Sequence, residues 1–270
     1  ERWWDLGSGT VLGQRLDSLD RYALSALAQL AAEADEAYDT YRYYRVIALL
    51  NEFCVSTLSG FYLDVIKGKL YTYRVDDPRR TATLNVLHLV LRVLLQLLAP
   101  MLSFTAEEAW QAAREQGLVD EESVFLTDWR ETVALLGRVR HALDAVHPGA
   151  VSEFVALRDL RSVVNVHLEE LRSAGKIGSS LEAAVTLDCC DNACGRVARK
   201  LDGEGVLKTA LNVSAVRVRF HPVPKPDTLL PSISAEPFEG LKCPRCWVLF
   251  ERLEDSGVCA TCAEALRERP

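Results

Sequence analysis

Four cysteines near the end of the chain are spaced for metal chemistry: Cys243-Pro-Arg-Cys246 is followed by Cys259-Ala-Thr-Cys262. A Cys-x-x-Cys pair closes a tight knuckle that presents two thiolates on one side. Two knuckles supply the four sulfurs that a structural zinc prefers in tetrahedral geometry. The twelve-residue spacer is shorter than in the usual ribbon but leaves room for a hairpin, with Gly257 near its turn. Four protein ligands leave no open coordination position, so the expected ion is structural rather than catalytic. A disulfide pair or a redox dithiol is the alternative reading. The segment from Pro237 to Pro270 has few apolar residues and could hardly fold without some cross-link. Trp247 directly follows the second cysteine. An aromatic there can stack on an unpaired base, or it can serve as a lid on the metal site or a wedge against the rest of the protein.

A second stretch, from Phe61 to Arg92, sets Lys67, Lys69, Arg74, Arg79, Arg80 and Arg92 against Asp64, Asp76 and Asp77, with Tyr62, Tyr71 and Tyr73 interleaved. Basic groups for phosphates and aromatics for splayed bases suit a single-stranded RNA loop. Composition alone also fits a solvated surface with half-buried tyrosines. The candidate RNA contacts are Lys67, Lys69, Tyr71, Arg74, Arg79, Arg80 and Trp247. The histidines lack ligand spacing, and His88 and His167 read as polar positions on helices. Cys189, Cys190 and Cys194 read as structural cysteines on a strand and the helix after it. No Ser/His/Asp set, phosphate-cradling glycine loop or carboxylate dyad is evident. Gly175-Lys176-Ile177-Gly178 lies between a helix and a strand, the reverse of the order a phosphate loop needs.

The elements that must position these groups are mostly helical. Residues 1–15 read as an N-terminal loop or truncated end. With Asp17 or Ser18 as N-cap, Leu19, Ala23, Leu27, Leu30, Ala34, Ala37 and Tyr41 trace one helical face. A second helix carries Val46, Leu50, Phe53, Thr57 and Phe61, and is interrupted by Gly68 and the polar segment 72–78. A third runs from about Pro78 to Ala99, where Pro100 stops it. Its residues Asn85, His88, Arg92 and Gln96 form a polar stripe, which makes it an amphipathic core helix rather than a membrane span. Thr105 and Glu108 look like a capping box for the next helix. After Gly149, Phe154, Leu157, Leu160, Val164, Leu168 and Leu171 give one more helix. Val185, Leu187 and Cys189, and later Val216, Val218 and Phe220, alternate as strands around a helical stretch at 192–201. Four prolines from Pro222 to Pro231 mark a linker.

The expected fold class is therefore multidomain α plus α/β. An antiparallel helical bundle spans 16–149 and a small α/β domain spans 150–222. A Pro-rich linker over 223–236 leads to a zinc knuckle module over 237–270. The chain has 270 residues, 49% of them hydrophobic, and a net charge of −7. That charge excludes a global pull towards nucleic acid, so any RNA site must be a local patch. Four of the eight cysteines are packed into two pairs near the end and the others are scattered, a distribution that suits a reducing compartment and a metal.

These residues resemble isoleucyl-tRNA synthetase from about Leu19 to Cys262. Leu19-Asp20-Arg21-Tyr22-Ala23-Leu24 resembles the opening of its anticodon-binding helical domain. Phe61 to Lys67, with Leu70-Tyr71-Thr72, resembles its second-helix motif. Leu98 to Trp110 is similar to a motif shared by several class I synthetases. Gly175 to Ala183 resembles the junction domain of the isoleucine enzyme, and Leu241 to Trp247 the C-terminal zinc module of its bacterial form. The resemblance implies the tRNA-recognition portion of a class I, ATP-dependent ligase. Such a portion binds the anticodon stem-loop of isoleucine tRNA and works with a catalytic half that carries the ATP and magnesium. It also implies a cytoplasmic monomer with no membrane partner. The family's His-Ile-Gly-His and Lys-Met-Ser-Lys-Ser signatures do not occur in these residues, so the segment by itself is expected to be inactive. A non-enzymatic RNA-binding or scaffold protein of the same architecture is the alternative.

Overall fold

The computed structural model describes residues 16–146, 148–221 and 231–267. The loop expected over 1–15, Pro222 and residues 223–230 of the expected linker lie outside the described residues. The protein is mostly helical, with two small sheets and a cysteine cluster near its C-terminal end. The described residues divide into two compact units: those up to 62 together with those of 81–150, and those of 63–80 together with those from 151 onward.

The first unit is helical. Helix α1 (Ser18–Asp39) starts at Asp17, whose carboxylate accepts from the Leu19 and Asp20 amides at 3.0 Å each. Leu19, Ala23, Leu27, Leu30, Ala34 and Ala37 are buried as the periodicity requires, but Tyr41 lies beyond the helix end, 79% exposed with φ 55°. Helix α2 (Tyr43–Glu52) continues into a π-helical stretch, Phe53–Tyr62, which the sequence pattern does not anticipate. Phe53, Thr57 and Phe61 are buried and four apart, a step that the wider turn keeps on one side. Gly60 permits that turn, since a Cβ there would lie 2.8 Å from the carbonyl oxygen of Val55, five residues earlier.

Two expectations on the following helices are corrected. The segment Pro78–Leu98 is long and apolar enough to cross a membrane by length and composition, but half of its most apolar window is buried, as in a core helix. Its polar stripe is only partly open to water: Asn85, His88 and Arg92 are half-buried and Gln96 is buried, and Arg92 pairs with Glu121 at 2.5 Å and lies over the Trp110 ring. The helix Ser103–Glu115 has its N-cap at Leu102, three residues before Thr105 of the expected capping box, and no side chain caps it. The neighbouring Glu107, outside the expected pair of Thr105 and Glu108, accepts from Ser123 Oγ at 2.8 Å and the Val124 amide at 3.1 Å and so anchors the next turn. Helix Trp129–Val146 packs on α1, and Trp129 Nε1 donates to Asp35 at 2.8 Å. Buried Asp20 accepts from the Tyr62 hydroxyl at 2.7 Å and the Thr83 hydroxyl at 3.1 Å.

The second unit gathers helix α3 (Lys67–Thr72), α4 (Ala150–Ser173, from Val151 onward) and all the strands. Strand β1 (Ala183–Cys189) is central. It pairs in parallel with β2 (Ala215–Phe220), Val185 opposite Val216, and antiparallel with β3 (Ser232–Pro237), Ala183 opposite Pro237. Helices α5 (Ala193–Gly203) and α6 (Leu207–Leu211) connect β1 to β2. Leu157, Leu160, Val164 and Leu168 of α4 and Val185, Leu187 and Cys189 of β1 are buried.

This corrects the expected boundaries twice. The latter part of the supposed linker, from Ser232, is a strand of the sheet, because alternating Ile233 and Ala235 let it pair with β1. Residues 63–80 belong with the sheet-containing unit and not with the helical one. Among the contacts that tie them there is Arg161 on α4, only 8% exposed, which donates to Asp64 and, at 2.7 Å, to the carbonyl of Ala210.

Candidate metal centre and nucleic-acid interface

All eight cysteines are free. The first pair sits in a hairpin whose strands β4 (Leu241–Lys242) and β5 (Leu249–Phe250) place Leu241 opposite Phe250. Within it the Cys243 amide donates to Val248 O at 3.0 Å, and the Trp247 amide donates to Cys243 O at 2.9 Å. That closure puts Trp247 in the left-handed region, φ 65°, where a Cβ is disfavoured. The second pair follows a turn at Gly257, φ 76°. Cys259 stands just before helix α7 (Ala260–Arg267) and Cys262 lies in its first turn.

The four sulfurs all lie within 4.8 Å of one another, and Cys246 and Cys259 are 3.7 Å apart. Thiolates placed tetrahedrally about an ion at ~2.3 Å stand about 3.8 Å apart, whereas a disulfide needs about 2.05 Å. The residues therefore fit a metal ion and not a cystine. Burial opposes ionisation of Cys243, but amides of Cys246, Cys259 and Arg245 outweigh it and bring the thiol down to about 6. Burial pushes Cys262 up to about 11. Four crowded thiols cannot all ionise unaided, and a bound cation is what makes a full thiolate set stable. Among the described residues no other group of three or more His, Cys, Asp or Glu side chains has such geometry. Cys189 and Cys194 are buried, the latter donating to Ala156 O at 3.5 Å, in line with a structural role.

The basic stretch is more restrained than its composition suggests. Lys69 is only 5% exposed, which removes it from the side chains a phosphate could reach. Arg74 grips Asp76 with two bonds, of 2.9 and 2.7 Å, and Arg79 grips Asp77 with two, of 3.1 and 2.7 Å. Hydrogen bonds from these arginines hold the Asp76 and Asp77 carboxyls below their usual range. Arg79 also stacks over Tyr73, 4.4 Å from the ring centre. Arg80 turns inward and donates to Leu70 O at 3.1 Å. Lys67 pairs with Asp64 at 3.0 Å but keeps an exposed side chain. Tyr71 and Trp247 present open rings, 76% and 64% exposed.

The cysteine cluster and the candidate RNA contacts from Lys67 to Arg80, read separately in sequence, fall in one compact unit. Arg245, between the first two cysteines, donates to the carbonyl of Thr72 at the end of α3. Helix α7 packs on α3, and its Glu264 acts electrostatically on Arg74 and Arg79. The Leu249 amide donates to Ser214 Oγ at 2.9 Å, which joins the hairpin to the approach to β2. Sequence reasoning missed Arg161, Asp64 and Asn212, which meet beside a cavity of about 310 Å³ lined also by Asn165, Arg172 and Ser180. The one available signal was Arg161 falling four residues after Leu157 and seven before Leu168, on the apolar face of α4.

Comparison with known proteins gives this geometry a context. The relatives it matches include isoleucine–tRNA ligases of three organisms. That of Cupriavidus pinatubonensis is 38% identical over 230 residues, 85% of this chain and 22% of the relative. That of a Synechococcus species is 33% identical over 282 residues, 100% of this chain and 26% of the relative. That of Chromobacterium violaceum is 38% identical over 196 residues, 72% of this chain and 19% of the relative. The chain thus spans about a fifth to a quarter of their length. Residues 20–187, from the first turn of α1 into β1, match the family model described as the anticodon-binding domain of tRNA ligase, and the chain belongs to that family.

Proposed function

We propose that this chain is the tRNA-recognition portion of an isoleucine–tRNA ligase. In this reading it binds the anticodon stem-loop of isoleucine tRNA, while a separate catalytic part of the enzyme activates isoleucine with ATP and magnesium. The single observation that carries the reading is the anticodon-binding family match across residues 20–187. Assignment to isoleucine rests on the names of the relatives and on the Gly175–Ala183 and Leu241–Trp247 segments.

The ion we assign to Cys243, Cys246, Cys259 and Cys262 is zinc, because four soft thiolates in a closed set suit it best. Its contribution is structural: it holds the knuckle that carries Trp247. The exposed ring and left-handed backbone of Trp247 favour a stacking platform over a lid. Such strain is found where the surroundings impose it for a purpose. Stacking of one base is worth roughly 1–3 kcal/mol. Tyr71 offers a second platform, and Lys67 is the cation most open to a phosphate. Arg74, Arg79 and Arg80 first brace their own turn. Arg74 and Arg79 reach RNA only where phosphates displace Asp76 and Asp77, and Arg80 only by leaving the Leu70 carbonyl; any such phosphate contact makes binding salt-dependent. The reading carries with it a cytoplasmic, monomeric parent enzyme.

The test is complementation in trans. By itself the chain should give isoleucine-dependent pyrophosphate–ATP exchange no higher than a buffer blank. Adding a family member's catalytic half should restore charging of isoleucine tRNA. Exchange by the isolated chain, or no gain in charging, would count against this reading and favour a stand-alone binding module.

A further inference from the structure

Helix α3 has six residues and follows the helical turn Leu63–Val65 across Ile66, whose carbonyl accepts from the Leu70 amide at 3.0 Å. The last four carbonyls of any helix lack partners within it. Two of these in α3 are taken by arginines from outside. Arg80 Nε donates to Leu70 O at 3.1 Å, and Arg245 donates to Thr72 O. A cationic donor at a helix C-terminus also meets the negative end of the helix dipole. Arg245 is half-buried and stands between two of the clustered cysteines, so the geometry of the knuckle decides where its guanidinium points. The same guanidinium also reaches the Cys262 sulfur of the second knuckle.

We propose that Arg245 is a positioning residue that caps α3 from the metal knuckle, so that metal binding orders the C-terminal turn of α3 and the presentation of Tyr71. The capping itself depends only on this geometry; its purpose in RNA binding rests on the function proposed above. An arginine suits the role because its fork can serve a carbonyl and a thiolate together, which a single ammonium serves less well.

Hydrogen exchange on the zinc-loaded full chain tests this. In R245Q, zinc content and the protection of β1 should match the wild type. The amides from Leu70 to Arg74 should exchange about tenfold faster or more, the effect of losing a charged hydrogen bond that closes a local structure. R245M, which keeps the stem without donors, should behave alike and replaces R245Q if that variant loses its metal. R245K should recover part of the protection. Chelating zinc from the wild type should accelerate the same amides, and should add little in R245Q. Unchanged exchange at these amides in a zinc-loaded variant would overturn the proposal. So would equal acceleration by chelation in wild type and R245Q, since the metal would then act on α3 by another route. Failure of the wild type to bind RNA would count against the function alone and would leave these exchange rates as they are.

Discussion

Arg161→Met should weaken the second unit through a specific pair of orphaned acceptors. The methionine keeps most of the stem's volume and removes every donor. Ala210 O then loses its 2.7 Å partner, and Asp64 loses its guanidinium. Removing one member of a buried pair typically costs 3–5 kcal/mol. Here Asp64 keeps Lys67 at 3.0 Å and Asn212 at 3.4 Å, and its side chain is 27% exposed, so part of the charge stays compensated. The expected loss is about 2–4 kcal/mol. That corresponds to a melting point lower by about 4–16 °C for a chain of this size. The pH dependence gives an independent sign. Burial works against ionisation of Asp64, but hydrogen bonds and charges of Lys67 and Arg161 outweigh it and hold its pKa below the ordinary value. Such a carboxylate contributes stability above its unfolded pKa, near 3.9, and loses it as pH falls through the folded value. The deficit of Arg161→Met relative to wild type should therefore be full at neutral pH and shrink as pH falls below about 4. Urea unfolding followed by far-ultraviolet circular dichroism at both pH values measures this. A variant within about 0.5 kcal/mol of wild type at neutral pH, or a deficit that ignores pH, would refute the reasoning.

Two further perturbations follow from the same unit. Elemental analysis should find about one zinc per chain, and Cys259→Ser should lose it and melt the hairpin and α7 while the helical unit keeps its circular dichroism; a metal-free yet ordered tail would contradict this. Gly195→Ala should lower the urea midpoint by the equivalent of about 1–3 kcal/mol, because the added Cβ would fall 2.0 Å from the Cys190 carbonyl oxygen; an unchanged midpoint would mean that the start of α5 has slack.

Much of this protein is legible in its sequence because much of it is local. Helix faces, the Asp17 cap, the β1 and β2 alternation and the paired cysteines all follow from spacing within a dozen residues. What stayed hidden depends on contacts distant in sequence. Nothing near Asp64 announces that Arg161, 97 residues away, will help tie residues 63–80 into the sheet-containing unit. Nothing near Arg80 shows that it will bond a carbonyl of the preceding helix instead of facing outward. The π-helical stretch was hidden because steps of four satisfy both a narrow and a wide turn, and only the Gly60 contact separates them. β3 was hidden because prolines just before it dominate the local pattern. In the candidate interface, composition revealed the charges but not that Asp76 and Asp77 occupy two of the arginines.

The most direct test of the central claim is the affinity of the zinc-loaded chain for isolated anticodon stem-loops, measured across a range of salt. The isoleucine tRNA stem-loop should bind more tightly than one with an altered anticodon. The affinity should also fall by up to about one logarithmic unit per phosphate contact for each tenfold rise in salt. Trp247→Ala should weaken cognate binding roughly 5- to 150-fold, the equivalent of one lost base stack, without changing the melting point. Equal affinity for cognate and altered stem-loops would contradict the account, because the chain would then hold RNA without reading its anticodon.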